Sequence, residues 1–262
     1  MKTVAIVIPT QKSILNQNDF ISLKHLDKYL LKYDKFFVIP DNIEPANFRL
    51  KGYRFLKFPH KYFNSTKSYS KLLLTDNFYL KFKNYRYILI YQLDALVFSN
   101  QLGEWCNKGY DFIGAPWLDS IIARLSKKEG LAKSGGNGGF SLRNVHKSLK
   151  VLERVGKMAR RSSSNEWIQK LWFIIAVLKR KSHKIWLNAP ATDYPFNEDG
   201  FWSLEAPKYL KNYKVAPFDL SLKFAFEKDP EKCFNLNNKQ LPFGCHAWER
   251  YDKYFWQKYI ES

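Results

Sequence analysis

Residues 87–98, YILIYQLDALVF, decide how the rest of the chain is read. All but two are apolar, which suits a strand buried on both faces, as in a parallel sheet. The two exceptions, Gln92 and Asp94, fall on one side of an extended chain. A carboxylate there is costly unless it is paired or holds a metal. Two readings stay open. In one, Asp94 caps a turn or meets a buried arginine. In the other, its oxygen joins the Gln92 carbonyl oxygen and a substrate's phosphates around a hard divalent cation.

Upstream, strand-like runs alternate with helical spacing. TVAIVIP, KFFVIP and YRFLKFP have the apolar density of strands. FISLKHLDKYLLKY carries Leu23, Leu26 and Leu30 on one helical face, and SYSKLLLTDNFYLKF predicts a second helix. Such alternation predicts an α/β fold, a Rossmann-like, mostly parallel sheet flanked by helices. Ligands of these sheets bind beyond the carboxyl ends of the strands, where Pro9, Thr10 and the Gln92–Asp94 step lie. Downstream, YDFIGAPW reads as a strand entering a turn, and SGGNGGFSLRN as a glycine-rich turn entering a strand. Helices are expected at about 145–160 and 165–181, and a strand at KIWLNAP. No linker divides the chain, so a single domain is expected over 1–262.

The 262 residues are 45% hydrophobic and 17% aromatic, enough to exclude a disordered chain. Three cysteines make no even framework and suit a reducing compartment. The N-terminal apolar run stops at Pro9, too short for a signal-peptide core. LWFIIAVL, residues 171–178, falls far short of the roughly 20 residues a membrane span needs. A cytoplasmic location follows as an expectation.

The net charge of +19 is concentrated. Between Arg124 and Lys184 lie 16 of the 43 Lys and Arg but only 3 of the 24 Asp and Glu. The segment carries no nucleic-acid motif. Within it Trp167, Leu171, Ile175 and Leu178 form an apolar stripe, with Trp172 beside it. Lys170 and the cluster Lys179, Arg180 and Lys181 flank the stripe. This pattern suits a helix lying in the plane of an anionic membrane, at the inner face of the cell membrane. A core helix with a basic exposed end has the same pattern.

Four further places can carry chemistry. Glu198 and Asp199 in NEDGFW complement a helix dipole or supply a general base. Gly138 and Gly139 let a ligand approach the backbone closely or form a plain surface turn. His246 in PFGCHAW is structural, a metal ligand or a diphosphate contact. Lys71, with Lys67, Ser68 and Ser70, is expected near a helix start that suits phosphate, or on a solvated face.

VAIVIPT, YQLDALVF, YDFIGAPW, GNGGFSLR, NEDGFW and PFGCHAW, taken in order, resemble a GT-A type glycosyltransferase. More closely, they are similar to a little-characterised bacterial and fungal family of such enzymes. The resemblance implies a nucleotide-sugar donor, a UDP-sugar foremost, bound by a half at about 1–100, and a glycan or lipid-linked glycan acceptor, held by a half at about 101–262, in cell-surface polysaccharide or lipooligosaccharide assembly. The Asp-x-Asp motif of such enzymes matches Gln92-Leu93-Asp94, with one carboxylate missing. The resemblance implies a divalent cation, manganese or magnesium, held by Asp94 and His246. It puts Asp199 forward as the base of an inverting transfer. Two other readings stand beside it: a metal-dependent nucleotidyltransferase, which usually carries a glycine-rich loop after its first strand, and a non-catalytic membrane- or nucleic-acid-binding module.

Overall fold

The computed structural model describes residues 1–48, 50–118, 136–163 and 190–260. Its first strand, β1 (Lys2–Pro9), is buried from Val4 to Ile8. Successive side chains of a strand point to opposite faces. Val4, Ile6 and Ile8 accordingly join one core cluster with Leu23, Leu26 and Leu30 of helix α1 (Gln17–Leu30). Ala5 and Val7 join a second cluster, with Leu72 and Phe78, across the sheet. Both faces are therefore covered, as the unbroken apolar runs required.

The main sheet has the order β3-β2-β1-β4-β7-β6. Strands β2 (Asp34–Pro40), β3 (Tyr53–Phe58) and β4 (Tyr85–Tyr91) complete a parallel block with β1. Strands β6 (Phe112–Gly114) and β7 (Phe140–Asn144) are added antiparallel, β7 directly against β4. The mostly parallel α/β architecture expected from the sequence is present.

Two expected elements are divided. The stretch 87–98 is not one strand. β4 ends at Tyr91, and β5 (Leu96–Val97) belongs to a second, small sheet of order β5-β9-β8. Between them Ala95 N–H donates to the Gln92 carbonyl at 2.9 Å, closing a tight turn. The Ser22 hydroxyl donates to the Ala95 carbonyl at 2.7 Å and pins that turn to α1. Gln92 and Asp94 thus lie on a turn at the carboxyl end of the sheet, not within a strand. The single helix expected over 68–82 is also two, α2 (Thr66–Leu72) and α3 (Asp76–Leu80). Thr75 separates them and caps α3 by accepting from Phe78 N–H.

The small sheet contains β8 (Ala225–Phe226) and β9 (Gly244–Cys245) and sits over a third cluster that includes Trp248 and Trp256. Helix α4 (Leu102–Asn107) precedes β6, and the expected basic helix follows β7 as α5 (Val145–Ser163). All three cysteines are buried as free thiols. Among the described residues no helix is long and apolar enough to cross a membrane. The proposed membrane contacts Trp167, Leu171, Trp172, Lys179, Arg180 and Lys181 lie outside the described residues, as do the helix expected at 165–181 and most of KIWLNAP.

Candidate active site

The carboxyl ends of β1 and β4 open into a cleft of about 650 Å³ lined by Pro9, Thr10, Lys12, Tyr69, Gln92 and Asp94, among others. The local folding of α1 sets one wall. Asn16 caps the helix reciprocally with Asp19: Asp19 N–H donates to Asn16 Oδ1 at 2.9 Å, and Asn16 N–H to Asp19 Oδ2 at 2.8 Å. The buried Asp19 carboxylate also takes Lys12 Nζ at 2.7 and 2.9 Å, holding an ammonium group at the cleft edge. Arg250 brings a second cation to the same cleft.

On the floor, Asp94 meets His246. The two are distant in sequence but are joined through the small sheet, where β5 pairs with β9. Trp248 N–H donates to the Asp94 carbonyl at 3.1 Å and fastens the His246 loop to the Asp94 turn. Nε2 of His246 lies 3.3 Å from Asp94 Oδ1 and 2.9 Å from Gln92 Oε1. On the other side of the ring, Nδ1 lies 3.2 Å from Glu227 Oε1. Glu227 also accepts from Asn137 Nδ2 at 2.7 Å. Burial opposes a charge on His246, but Asp94 and Glu227 outweigh it and push its pKa up to about 10. Burial would raise the Asp94 carboxyl, yet the neighbouring His246 more than offsets this and holds it below the usual range. The Asp94 side chain keeps 41% of its exposure, so it faces the cleft rather than the core.

The glycine-rich turn stands behind this pair. Asn137 Oδ1 accepts from Gly139 N–H at 2.9 Å, and the Gly139 carbonyl accepts from Gln92 N–H at 3.0 Å. A Cβ on Gly139 would collide with the His246 imidazole, and one on Gly138 with the Glu198 carboxylate. The two glycines permit close packing of functional side chains against the backbone.

Glu198 and Asp199 open a helical turn (Glu198–Gly200) that passes into the π-helical turn Phe201–Glu205. Glu198 is held on both oxygens. Arg143 of β7, fully buried, donates through Nη2 to Oε1 at 2.9 Å, and the Ser70 hydroxyl donates to Oε2 at 3.0 Å. Asp199 is also buried, with Gly200 N–H donating to Oδ1 at 2.7 Å. Burial first, and the Glu198 charge second, raise the Asp199 carboxyl to about 8. Gly200 N–H and Arg143 offset only part of that rise.

Of the residues singled out in the sequence, Pro9, Thr10, Gln92 and Asp94 line the cleft, and His246 closes on Gln92 and Asp94. Gly138 packs directly against Glu198 and Gly139 against His246. Lys71 is placed elsewhere. It lies in the last turn of α2, not at a helix start, and lines a separate depression with Lys61 and Lys67. Sequence reasoning missed Lys12, Asn137, Arg143, Glu227 and Arg250. Asn137 and Arg143 fall inside the quoted GNGGFSLR run and so carried a signal. Glu227 stands in an ordinary AFEKD context and carried none.

Among the described residues no three His, Cys, Asp or Glu side chains are arranged to hold a metal by themselves. The donor set nevertheless fits a cation shared with a ligand. Asp94 offers a carboxylate oxygen, and His246 would offer Nε2 once a cation displaced the proton that Asp94 and Glu227 otherwise keep on the ring, while Glu227 takes the other ring nitrogen, as the carboxylate partner of a metal-bound histidine does.

Comparison with solved structures identifies the fold. An active-site mutant of LgtC aligns with a TM-score of 0.51 and 17% identity, over 92% of this chain and 86% of that one. Mouse xyloside xylosyltransferase 1 aligns with a TM-score of 0.50 and 13% identity, over 93% and 97%. Both are GT-A glycosyltransferases, and the six-stranded sheet with its flanking helices is the GT-A fold. No curated protein matches the chain. The sequence model of a family described as protein of unknown function (DUF5672) matches residues 52–246, and the chain belongs to that family.

Proposed function

We propose that this chain is a glycosyltransferase that moves a sugar from a nucleotide-sugar donor, a UDP-sugar foremost, to a hydroxyl of a glycan or lipid-linked glycan. One observation carries the reading: Gln92 and Asp94 line a cleft at the carboxyl end of a GT-A sheet, and His246 closes on both from behind. The cleft is of nucleotide size, and Lys12 and Arg250 line it beside Asp94. Arg250 complements the charge of a diphosphate, while Lys12 is shared with Asp19, and Glu249 adds a carboxylate to the lining.

Asp94 and His246 would hold a divalent cation, manganese or magnesium, whose remaining positions fall to phosphate oxygens. Bound there, the ion would neutralise charge developing on the leaving diphosphate. Glu227 fixes the His246 ring, and the Gln92 amide lies beside both groups. Asp199 takes the proton of the acceptor hydroxyl, a role its raised pKa suits. The deprotonated oxygen attacks the anomeric carbon from the face opposite the diphosphate, and the configuration inverts. Glu198, occupied by Arg143 and Ser70, positions the loop that presents Asp199. In this reading residues 1–100 supply most of the donor cleft and residues beyond them the acceptor side.

The basic, apolar segment at 165–181 would bring the enzyme to an anionic membrane bearing its acceptor in cell-surface glycan assembly. Salt-sensitive co-sedimentation with anionic vesicles tests that part. The central reading is tested by thermal shift against nucleoside diphosphates, with and without manganese. UDP should raise the melting temperature of the wild type, more so with manganese, and should do much less for Asp94→Ala. An equal shift in the two proteins would overturn the assignment.

A further inference from the structure

A second depression, of about 480 Å³, lies beside the donor cleft and is lined by Lys61, Lys67 and Lys71 with Tyr62 and Thr192. Among the described residues no carboxylate lines it, and none of the three lysines forms an ion pair. Lys67 and Lys71 are one helical turn apart on α2. Lys61 approaches over the Tyr62 ring at 5.5 Å. The hydroxyls of Ser65 and Ser68, which also line it, are already committed to each other and to the backbone at the start of α2. The lysines, with the Tyr62 and Thr192 hydroxyls, are therefore its available donors among the described residues. Three cations gathered in one concavity repel one another, and an anion relieves that repulsion.

The position of the depression says which anion. Ser65 lines both it and the donor cleft, so the two adjoin. Thr192 belongs to the turn Ala191–Asp193 just before the Glu198–Asp199 loop. Ser70, on the same helix as Lys67 and Lys71, holds Glu198. A ligand seated here lies between the donor cleft and the loop that carries the base, on the acceptor's side. We propose that the depression binds a phosphate group carried by the acceptor, so that the preferred acceptor is a sugar or lipid-linked sugar bearing phosphate. The proposal rests on the glycosyltransferase reading for the word acceptor, but the phosphate site stands on the lysines alone.

Two probes distinguish the sources of phosphate: glucose 6-phosphate as a free sugar phosphate, and short-chain dihexanoyl phosphatidic acid, kept monomeric, as a lipid phosphate that offers no charged bilayer to the segment at 165–181. Binding is measured by calorimetry, with saturating UDP present, on the wild type and on Lys61→Gln/Lys67→Gln. The wild type should bind at least one probe, and should not bind glucose or monomeric dihexanoyl phosphatidylcholine. The double variant should lose about tenfold or more in affinity for that probe while holding UDP as before. Binding of the first probe alone assigns a soluble acceptor phosphate, and binding of the second a lipid-borne one. Displacement of the probe by UDP, unchanged binding in the double variant, or no binding of either probe would overturn the proposal. A wild type that binds a phosphate probe through these lysines but ignores UDP would sink the glycosyltransferase reading and leave the phosphate site intact.

Discussion

Asp199 and Glu198 are neighbours in the chain with opposite surroundings. Glu198 gives both oxygens to Arg143 and Ser70, whereas Asp199 carries a raised pKa beside that fixed negative charge. Asp199→Asn keeps the shape and removes the base. Transfer should fall by about 10²–10⁴-fold, with UDP affinity little changed, as steady-state rates and calorimetry on one preparation would show. Transfer by the wild type should rise with pH through about 8, as Asp199 ionises. Stability should move the other way. The folded pKa lies above the ordinary value of 3.8, so the folded state holds a proton that the unfolded state has released. That contribution is complete below about pH 4 and is lost as pH rises toward 8. Urea midpoints measured across this window should fall more steeply for the wild type than for Asp199→Asn.

At the scale of elements, the turn before β7 makes the site possible. Gly139 lies against His246 with no room for a Cβ. Gly139→Ala should displace the imidazole and weaken UDP binding about tenfold or more while the protein still folds, a combination that circular dichroism and calorimetry together would detect. Much of this was legible beforehand. The apolar runs of β1, β2 and β4 announced a doubly covered sheet, and the interruption at Gln92 and Asp94 announced a place for ligands. The exact break between β4 and β5 was not legible. Ala95-Leu96-Val97 is as apolar as the strand before it, and the turn is made by hydrogen bonds from Ser22 and within the backbone. The gap between α2 and α3 was hidden in the same way, because Leu72, Leu73 and Leu74 continue the helical pattern up to the cap at Thr75. Glu227 was invisible for a different reason: its partnership with His246 depends on the pairing of β8 with β9, which no local pattern encodes.

For the whole molecule, the order β3-β2-β1-β4-β7-β6 places a strand from beyond residue 135 directly beside β4. A fragment of residues 1–100 would leave the β4 edge without its partner, and Asp94 without His246. Such a fragment should fail to give the cooperative melting of the full chain and should aggregate, as scanning calorimetry and light scattering would report. The same strand order bears on ancestry. Because β7 is hydrogen-bonded into the donor-side sheet while its Arg143 grips the acid-bearing loop, recombination could not readily exchange one half for another's without matching that seam. New specificities in such a lineage should arise by substitution along the rims of the two depressions, and swapped modules should be rare among its descendants.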